Sequence, residues 1–147
     1  MTENNKNGSA DLQQLLRNMA PVLNEGDFVF LSFPDTVYGS YAWLKPIAAF
    51  VEAEGLTLVV LEEMARQHAL QFDGDPFKCI TLQVHSSLEA VGLTAAFASK
   101  LAEHNISANV IAGFFHDHIF VSKSDAENAM KALQQLSAEA GTPSIQT

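Results

Sequence analysis

Several groups of residues in this chain have types and spacing that invite chemistry. The segment Ser86-Ser87-Leu88-Glu89-Ala90-Val91-Gly92-Leu93 places two hydroxyls, a carboxylate and a glycine ahead of an apolar-periodic stretch. Free amides at a helix N-terminus, joined by the Ser86 and Ser87 hydroxyls, suit a carboxylate. Gly92 would let a ligand or another backbone approach closely, and a bulky side chain there would block it. The same residues also read as helix punctuation. Ser86 or Ser87 then caps the helix, Glu89 completes a capping box, and Gly92 only relieves crowding. His116-Asp117-His118 invites a metal, but a site needs a third or fourth ligand, and His85 is the only other strand histidine in that half. The favoured reading is Asp117 in a tight turn with solvated histidines and no metal. His85-Ser86-Ser87 is adjacent in sequence, whereas the partners of a nucleophilic triad meet in space. There is no G-x-S-x-G elbow and no orienting acid, so no residue is assigned a catalytic role and no cofactor is expected. Cys79 shares a strand face with His85 but lies too far along it to be activated, and reads as a packed thiol. Tyr38, Tyr41 and Trp43 either line a pocket beside Asp35 or serve as core or interface aromatics.

The elements that must position these residues follow from periodicity. Ser9 can cap a helix over 9–19, with Leu12, Leu15, Leu16 and Met19 on one face. Asn24-Glu25-Gly26-Asp27 is a turn signal, and 28–33 is an aromatic and β-branched strand. Residues 34–46 are irregular. Strands over 47–53 and 56–61 flank a turn at Glu54-Gly55, and 62–70 is helical, with acids at its start and Arg66 and His68 near its end. Asp73-Gly74-Asp75-Pro76 is the strongest breaker in the chain and divides it. Beyond it, 78–85 alternates as a half-buried strand. Residues 90–104 carry Val91, Thr94, Ala95, Ala98, Leu101 and Ala102 at helical spacing. A strand over 106–115 turns at His116-Asp117 into a hairpin strand over 118–122. Ser124-Asp125-Ala126-Glu127 is a capping box that opens a helix to about residue 138.

Each half therefore reads strand, intervening segment, strand, tight turn, strand, helix. The first half is shorter before its turn by about ten residues, roughly three turns of helix, and the 34–46 loop stands in that place. The expected architecture is α+β: a ferredoxin-like tandem duplication whose first copy is degenerate. The expected organisation is a disordered leader over 1–8, units over 9–76 and 77–140, and a flexible tail over 141–147.

Composition narrows the function. Of 147 residues, 48% are hydrophobic and 17% charged, which suffices for a real core. The net charge of −9, with only 8 Lys plus Arg, disfavours nucleic acid and anionic membrane surfaces as partners. The polar start lacks the apolar run of a secretory signal, and no stretch has the length of a membrane helix. A single cysteine rules out an intrachain disulfide. These features point to a cytoplasmic protein.

The run from His85 to Ala95, followed by Leu101-Ala102-Glu103-His104-Asn105-Ile106-Ser107-Ala108-Asn109-Val110-Ile111-Ala112-Gly113, resembles an ACT domain of the aspartate-kinase type. The shared pattern is a strand, Gly-Leu at the helix start, a helix ending before Asn-Ile-Ser, and a second strand. With the extension Phe114-Phe115-His116-Asp117-His118-Ile119-Phe120-Val121 it is similar to small stand-alone tandem ACT proteins of largely unassigned role. The resemblance implies paired units, with a possible homodimer, and regulatory binding of an amino acid or similar metabolite. It places the ligand where the loop Ser86, Ser87, Leu88, Glu89, Ala90, Val91, Gly92 and Leu93 of one unit faces a second strand of the kind formed by Asn109, Val110, Ile111 and Ala112. The pattern departs from the commonest one before Gly-Leu, where Ala90-Val91 replace an acidic residue and a proline. The alternative is a protein-interaction module that has kept the ACT fold and lost the ligand.

Overall fold

The computed structural model describes residues 4–84 and 91–140. Four helices, α1 (Asn4–Arg17), α2 (Glu62–Gln67), α3 (Leu93–Glu103) and α4 (Ala126–Glu139), alternate with seven strands. The strands are β1 (Pro21–Leu23), β2 (Phe28–Phe33), β3 (Ala48–Glu52), β4 (Gly55–Leu61), β5 (Phe77–Leu82), β6 (Asn109–Ala112) and β7 (Asp117–Ser122). The chain forms two compact units, one from residues up to Asn24 and from Cys79 onward, the other from Glu25 to Lys78.

The first unit is helix-covered. β1 runs antiparallel to β5, pairing Pro21 with Leu82 and Leu23 with Ile80. β6 and β7 form an antiparallel hairpin in which Val110 faces Ile119. Alternation sends Ile80, Leu82, Ile119 and Val121 to the core, where they meet Leu16 and Met19 of the N-terminal segment, Leu93, Phe97 and Leu101 of α3, and Ala129 and Leu133 of α4. α3 ends in a Schellman motif: Ile106 N–H donates to Leu101 C=O, Asn105 N–H donates to Ala102 C=O, and Asn105 takes a left-handed φ of 58°. The apolar Ile106 that follows is buried, which fastens the helix end to the core.

The second unit is built on β3-β4-β2. β2 pairs along its whole length with β4, from Phe28 opposite Leu61 to Phe33 opposite Leu56. β3 pairs with β4 through a tight turn at 53–54. Its core holds Val29, Leu31, Leu44, Leu56, Leu58, Val60 and Ala65. A single 3₁₀ turn (Ala42–Leu44) and the short α2 cover it. The loop expected over 34–46 thus holds one turn of helix where the other copy has the three turns of α3.

Four local expectations are corrected. α1 begins at Asn4, so Ser9 lies inside the helix and does not cap it. α3 begins at Leu93, not at residue 90, because Gly92 has φ +98° and cannot lie in a right-handed helix. Its inward face is then Leu93, Phe97 and Leu101, while Val91, Thr94, Ala95 and Ala102 are exposed. The β6–β7 connection is not a two-residue turn at His116-Asp117. Ala112 pairs with Asp117, leaving a four-residue loop over 113–116 in which Gly113 N–H donates to His116 C=O. Finally, α4 is entered through a 3₁₀ turn (Lys123–Asp125), and neither that turn nor α4 has a side-chain cap bond, so the Ser124 capping box does not form.

Candidate functional site

The sequence-derived ligand residues fall into three structural groups. Ser86, Ser87, Leu88, Glu89 and Ala90 lie outside the described residues, as does His85. Val91 stands exposed just ahead of α3, Gly92 caps it, and Leu93 is buried in the core. Gly92 C=O accepts a bond from Ala96 N–H. A Cβ built at Gly92 would come within 3.0 Å of Leu12 Cδ2. With its positive φ, this makes the glycine a structural requirement, and a bulky substitution there would disturb α1 as well as any ligand.

The second strand of the candidate site is β6. Asn109 and Ile111 share the face of Phe120 and His118, opposite which they pair, whereas Val110 and Ala112 point to the helix side. Asn109 and Ala112 are exposed, Val110 packs against the core, and Asn109 Nδ2 donates to Phe120 C=O at 3.4 Å. Asn109 is the residue of this group with a free polar acceptor for a ligand.

On the strand face away from the helices lies a polar chain that periodicity alone does not reveal. Asn24 Nδ2 donates to Thr81 Oγ1 at 2.8 Å, and Thr81 Oγ1 lies 2.9 Å from His118 Nδ1. The Thr81 hydroxyl has one proton and two acceptor lone pairs, so the His118 tautomer decides which of the two groups donates in this contact. Burial, and then the neighbouring His116, push the His118 pKa below its ordinary value, while Asp117 opposes this. Burial likewise pushes the Cys79 thiol up, against hydrogen bonds from Asn24 and Thr81. A buried thiol held protonated is not a nucleophile. Among the described residues, no group of three or more His, Cys, Asp or Glu side chains is arranged to hold a metal.

The second unit contains a cleft of about 450 Å³. Its floor is Leu56 and Leu58 of β4, one wall is Ala48 and Ala49 of β3, and the loop supplies Tyr38, Tyr41 and Lys45. Tyr41 is fixed by stacking on Phe33, with ring centroids 3.9 Å apart. Trp43 does not line the cleft; it packs edge-on against His68. Asp35 is exposed and does not line it either.

Among the described residues no helix is long and apolar enough to cross a membrane. Comparison with known proteins accounts for the repeated architecture. Two ACT-domain family models match in tandem, one over residues 7–77 and one over 76–135. The chain is 53% identical to a Vibrio cholerae protein of unknown function, described as a possible transport protein, with a TM-score of 0.80 over 88% of this chain and 98% of that one. It shares the fold of an Agrobacterium tumefaciens protein at 18% identity and a TM-score of 0.65, covering 80% of this chain and 87% of that one. It also shares the fold of the ligand-free regulatory subunit of aspartate kinase from Thermus thermophilus, at 11% identity and a TM-score of 0.56, over 80% of this chain and 97% of that one. No curated protein is significantly similar in sequence. The two family matches and the ferredoxin-like chain order together make this chain a member of the ACT-domain family, with two ACT domains in tandem.

Proposed function

We propose that this protein is a cytoplasmic, non-enzymatic regulator that binds an amino acid or similar small metabolite through its ACT domains, read as residues 9–76 and 77–140. The observation that carries the reading is the pair of tandem ACT matches on a chain whose fold neighbours include a regulatory subunit of aspartate kinase. The site proposed is the loop Ser86–Leu93 together with Asn109–Ala112. Asn109 offers both an acceptor and a donor at the exposed end of β6, and the backbone at the start of α3 supplies amides for a carboxylate. A second copy of the chain is the natural partner for such a site.

The test is a thermal-shift screen of the full chain against amino-acid mixtures. A ligand at about 100 times its dissociation constant adds about 2.7 kcal/mol to stability, an easily seen shift. Asn109→Ala should remove that shift. Gly92 is unsuited as the probe because of its φ and its contact with Leu12. A screen without any shift favours a second reading, that the fold is kept as a protein-interaction module. The exposed Phe114 and Phe115, packed edge to face at the β6–β7 loop, support that alternative.

A further inference from the structure

We propose that the cleft in the Glu25–Lys78 unit is a binding site of its own, taking a small carboxylate with an apolar or aromatic body and no amino group. The argument begins with the loop that replaces a helix. In the helix-covered unit, Phe97 and Leu101 of α3 fill the space above the strands. In the other unit the 3₁₀ turn and its flanking loop stand in the place of α3 beside the short α2, and Leu44 alone of that turn is buried. The space left over lies on Leu56 and Leu58. In the β3–β4 register Ala49 stands opposite Leu58, so the strand residue on this face is too small to close it. A volume of about 450 Å³ falls within the range of small-molecule sites.

The lining sets the ligand's chemistry. Seven of its residues are apolar: Ala42, Pro46, Ile47, Ala48, Ala49, Leu56 and Leu58. The side chains that bear polar atoms are Tyr38, Tyr41 and Lys45, and none of the lining residues is acidic. An ammonium group would therefore enter without a countercharge, whereas a carboxylate meets a lysine. Lys45 is conspicuous in a chain of net charge −9. Among the described residues, ion pairs engage Arg66, Lys78, Lys100 and Lys131, but not Lys45. Its backbone is left-handed, φ 52° and ψ 53°, and is held there by a bond from its own N–H to Ala42 C=O. That conformation ends the 3₁₀ turn as a left-handed C-cap and fixes the backbone from which the lysine side chain leaves. The body of the ligand would lie against Ile47, Ala48 and Ala49 beside Tyr41, whose ring Phe33 already holds in place.

The test uses the full chain and three probes that share one body: 3-phenylpropanoate, 3-phenylpropylamine and phenylalanine. Titrations are followed by protein NMR, which locates the site, and by calorimetry. The propanoate should bind saturably and shift Ala49, Leu56 and Leu58; phenylalanine should bind there more weakly, and the amine should not bind there. Lys45→Met should weaken the propanoate by about tenfold or more, the loss of one charge-assisted contact. Ala49→Phe should fill the cleft and abolish binding; both positions are exposed, so both variants should fold. Asn109→Ala should leave propanoate binding unchanged, which separates this cleft from the site proposed above. The proposal is overturned if the amine binds there as well as the propanoate, if Lys45→Met or Ala49→Phe binds normally, or if the propanoate fails to saturate or shifts residues elsewhere.

Discussion

The two units show what one chain order becomes when its first crossing element changes length. Both run strand, crossing segment, hairpin and helix. In the helix-covered unit the crossing segment is α3, and Phe97 and Leu101 come to lie wholly within a core shared with α1 and α4. In the Glu25–Lys78 unit it is a loop with one 3₁₀ turn, and the core shrinks to the neighbourhood of Leu44, Leu56 and Leu58. The closing helix follows the same trend: α4 has 14 residues, α2 only 6. A helix brings a side chain inward every three to four residues, whereas a loop spends its length on backbone turns. The loop therefore covers the strands incompletely, and an open cleft results. Stability should accordingly reside in one unit and adaptability in the other.

The largest expected effect tests where the stability lies. Phe97→Ala removes a fully buried ring from α3 and should cost about 3–5 kcal/mol in urea unfolding. Leu44→Ala removes the one buried side chain of the 3₁₀ turn and should cost about 2–3 kcal/mol, the lower part of the range for buried leucine, because a core beside a cleft relaxes more readily. If Leu44→Ala proves the costlier of the two, the contrast between the units is wrong.

A smaller effect concerns the polar chain in the helix-covered unit. The native pKa of His118 lies below the ordinary value of 6.5. Above about 6.5 both folded and unfolded chains hold it neutral, and the stability it contributes is fully present. As pH falls through 6.5 towards the native value, the unfolded chain takes up a proton that the native one refuses, so stability declines across that window. His118→Gln should flatten the decline, as read from melting temperatures between about pH 8 and pH 5. An unchanged slope would show that burial beside His116 does not bias the His118 titration.

What could be read in the sequence follows the same division between local and distant causes. β2 was legible to the residue because Phe28-Val29-Phe30-Leu31-Ser32-Phe33 is a run of strand formers between a turn and Pro34. α3 was legible as a helix, but its inward face was not. Val91, Thr94, Ala95, Ala98, Leu101 and Ala102 also fit a helical period, and the large Phe97 settles the face only once Gly92 has fixed where the helix begins. β1 escaped notice because three residues led by a proline carry no periodicity; it exists through pairing with Leu82, Thr81 and Ile80. The Asn24–Thr81–His118 chain joins residues 57 and 37 positions apart, a distance no local pattern spans. The cleft was foreshadowed as one of two readings, a pocket lined by Tyr38, Tyr41 and Trp43 beside Asp35, of which the two tyrosines line it and Trp43 and Asp35 do not. Its volume depends on how that loop falls across Leu56 and Leu58.

The smallest expected effect compares the junction that each unit makes between its last strand and its closing helix. In the Glu25–Lys78 unit β4 passes directly into α2, and Glu62 N–H donates to Asp27 C=O, so a distant backbone carbonyl does the work of a cap. In the other unit β7 passes through the 3₁₀ turn Lys123–Asp125 into α4. There the bond from Ala126 N–H to Lys123 C=O satisfies one of the amides that a serine cap would otherwise take. A Ser124 hydroxyl in a true capping box would be worth about 0.5–2 kcal/mol. Here Ser124 is exposed and neither the turn nor α4 has a side-chain cap bond, so Ser124→Ala should change unfolding free energy by no more than about 0.5 kcal/mol. A loss above about 1 kcal/mol in urea titration would restore the capping box and show that the 3₁₀ turn gives way to it in solution. The matching change in the other unit, Glu62→Gln, should weaken the contact of Arg66 Nε with Glu62 Oε1 without touching the backbone bond to Asp27. The two junctions should therefore tolerate side-chain loss alike, because backbone carbonyls satisfy the helix start in both.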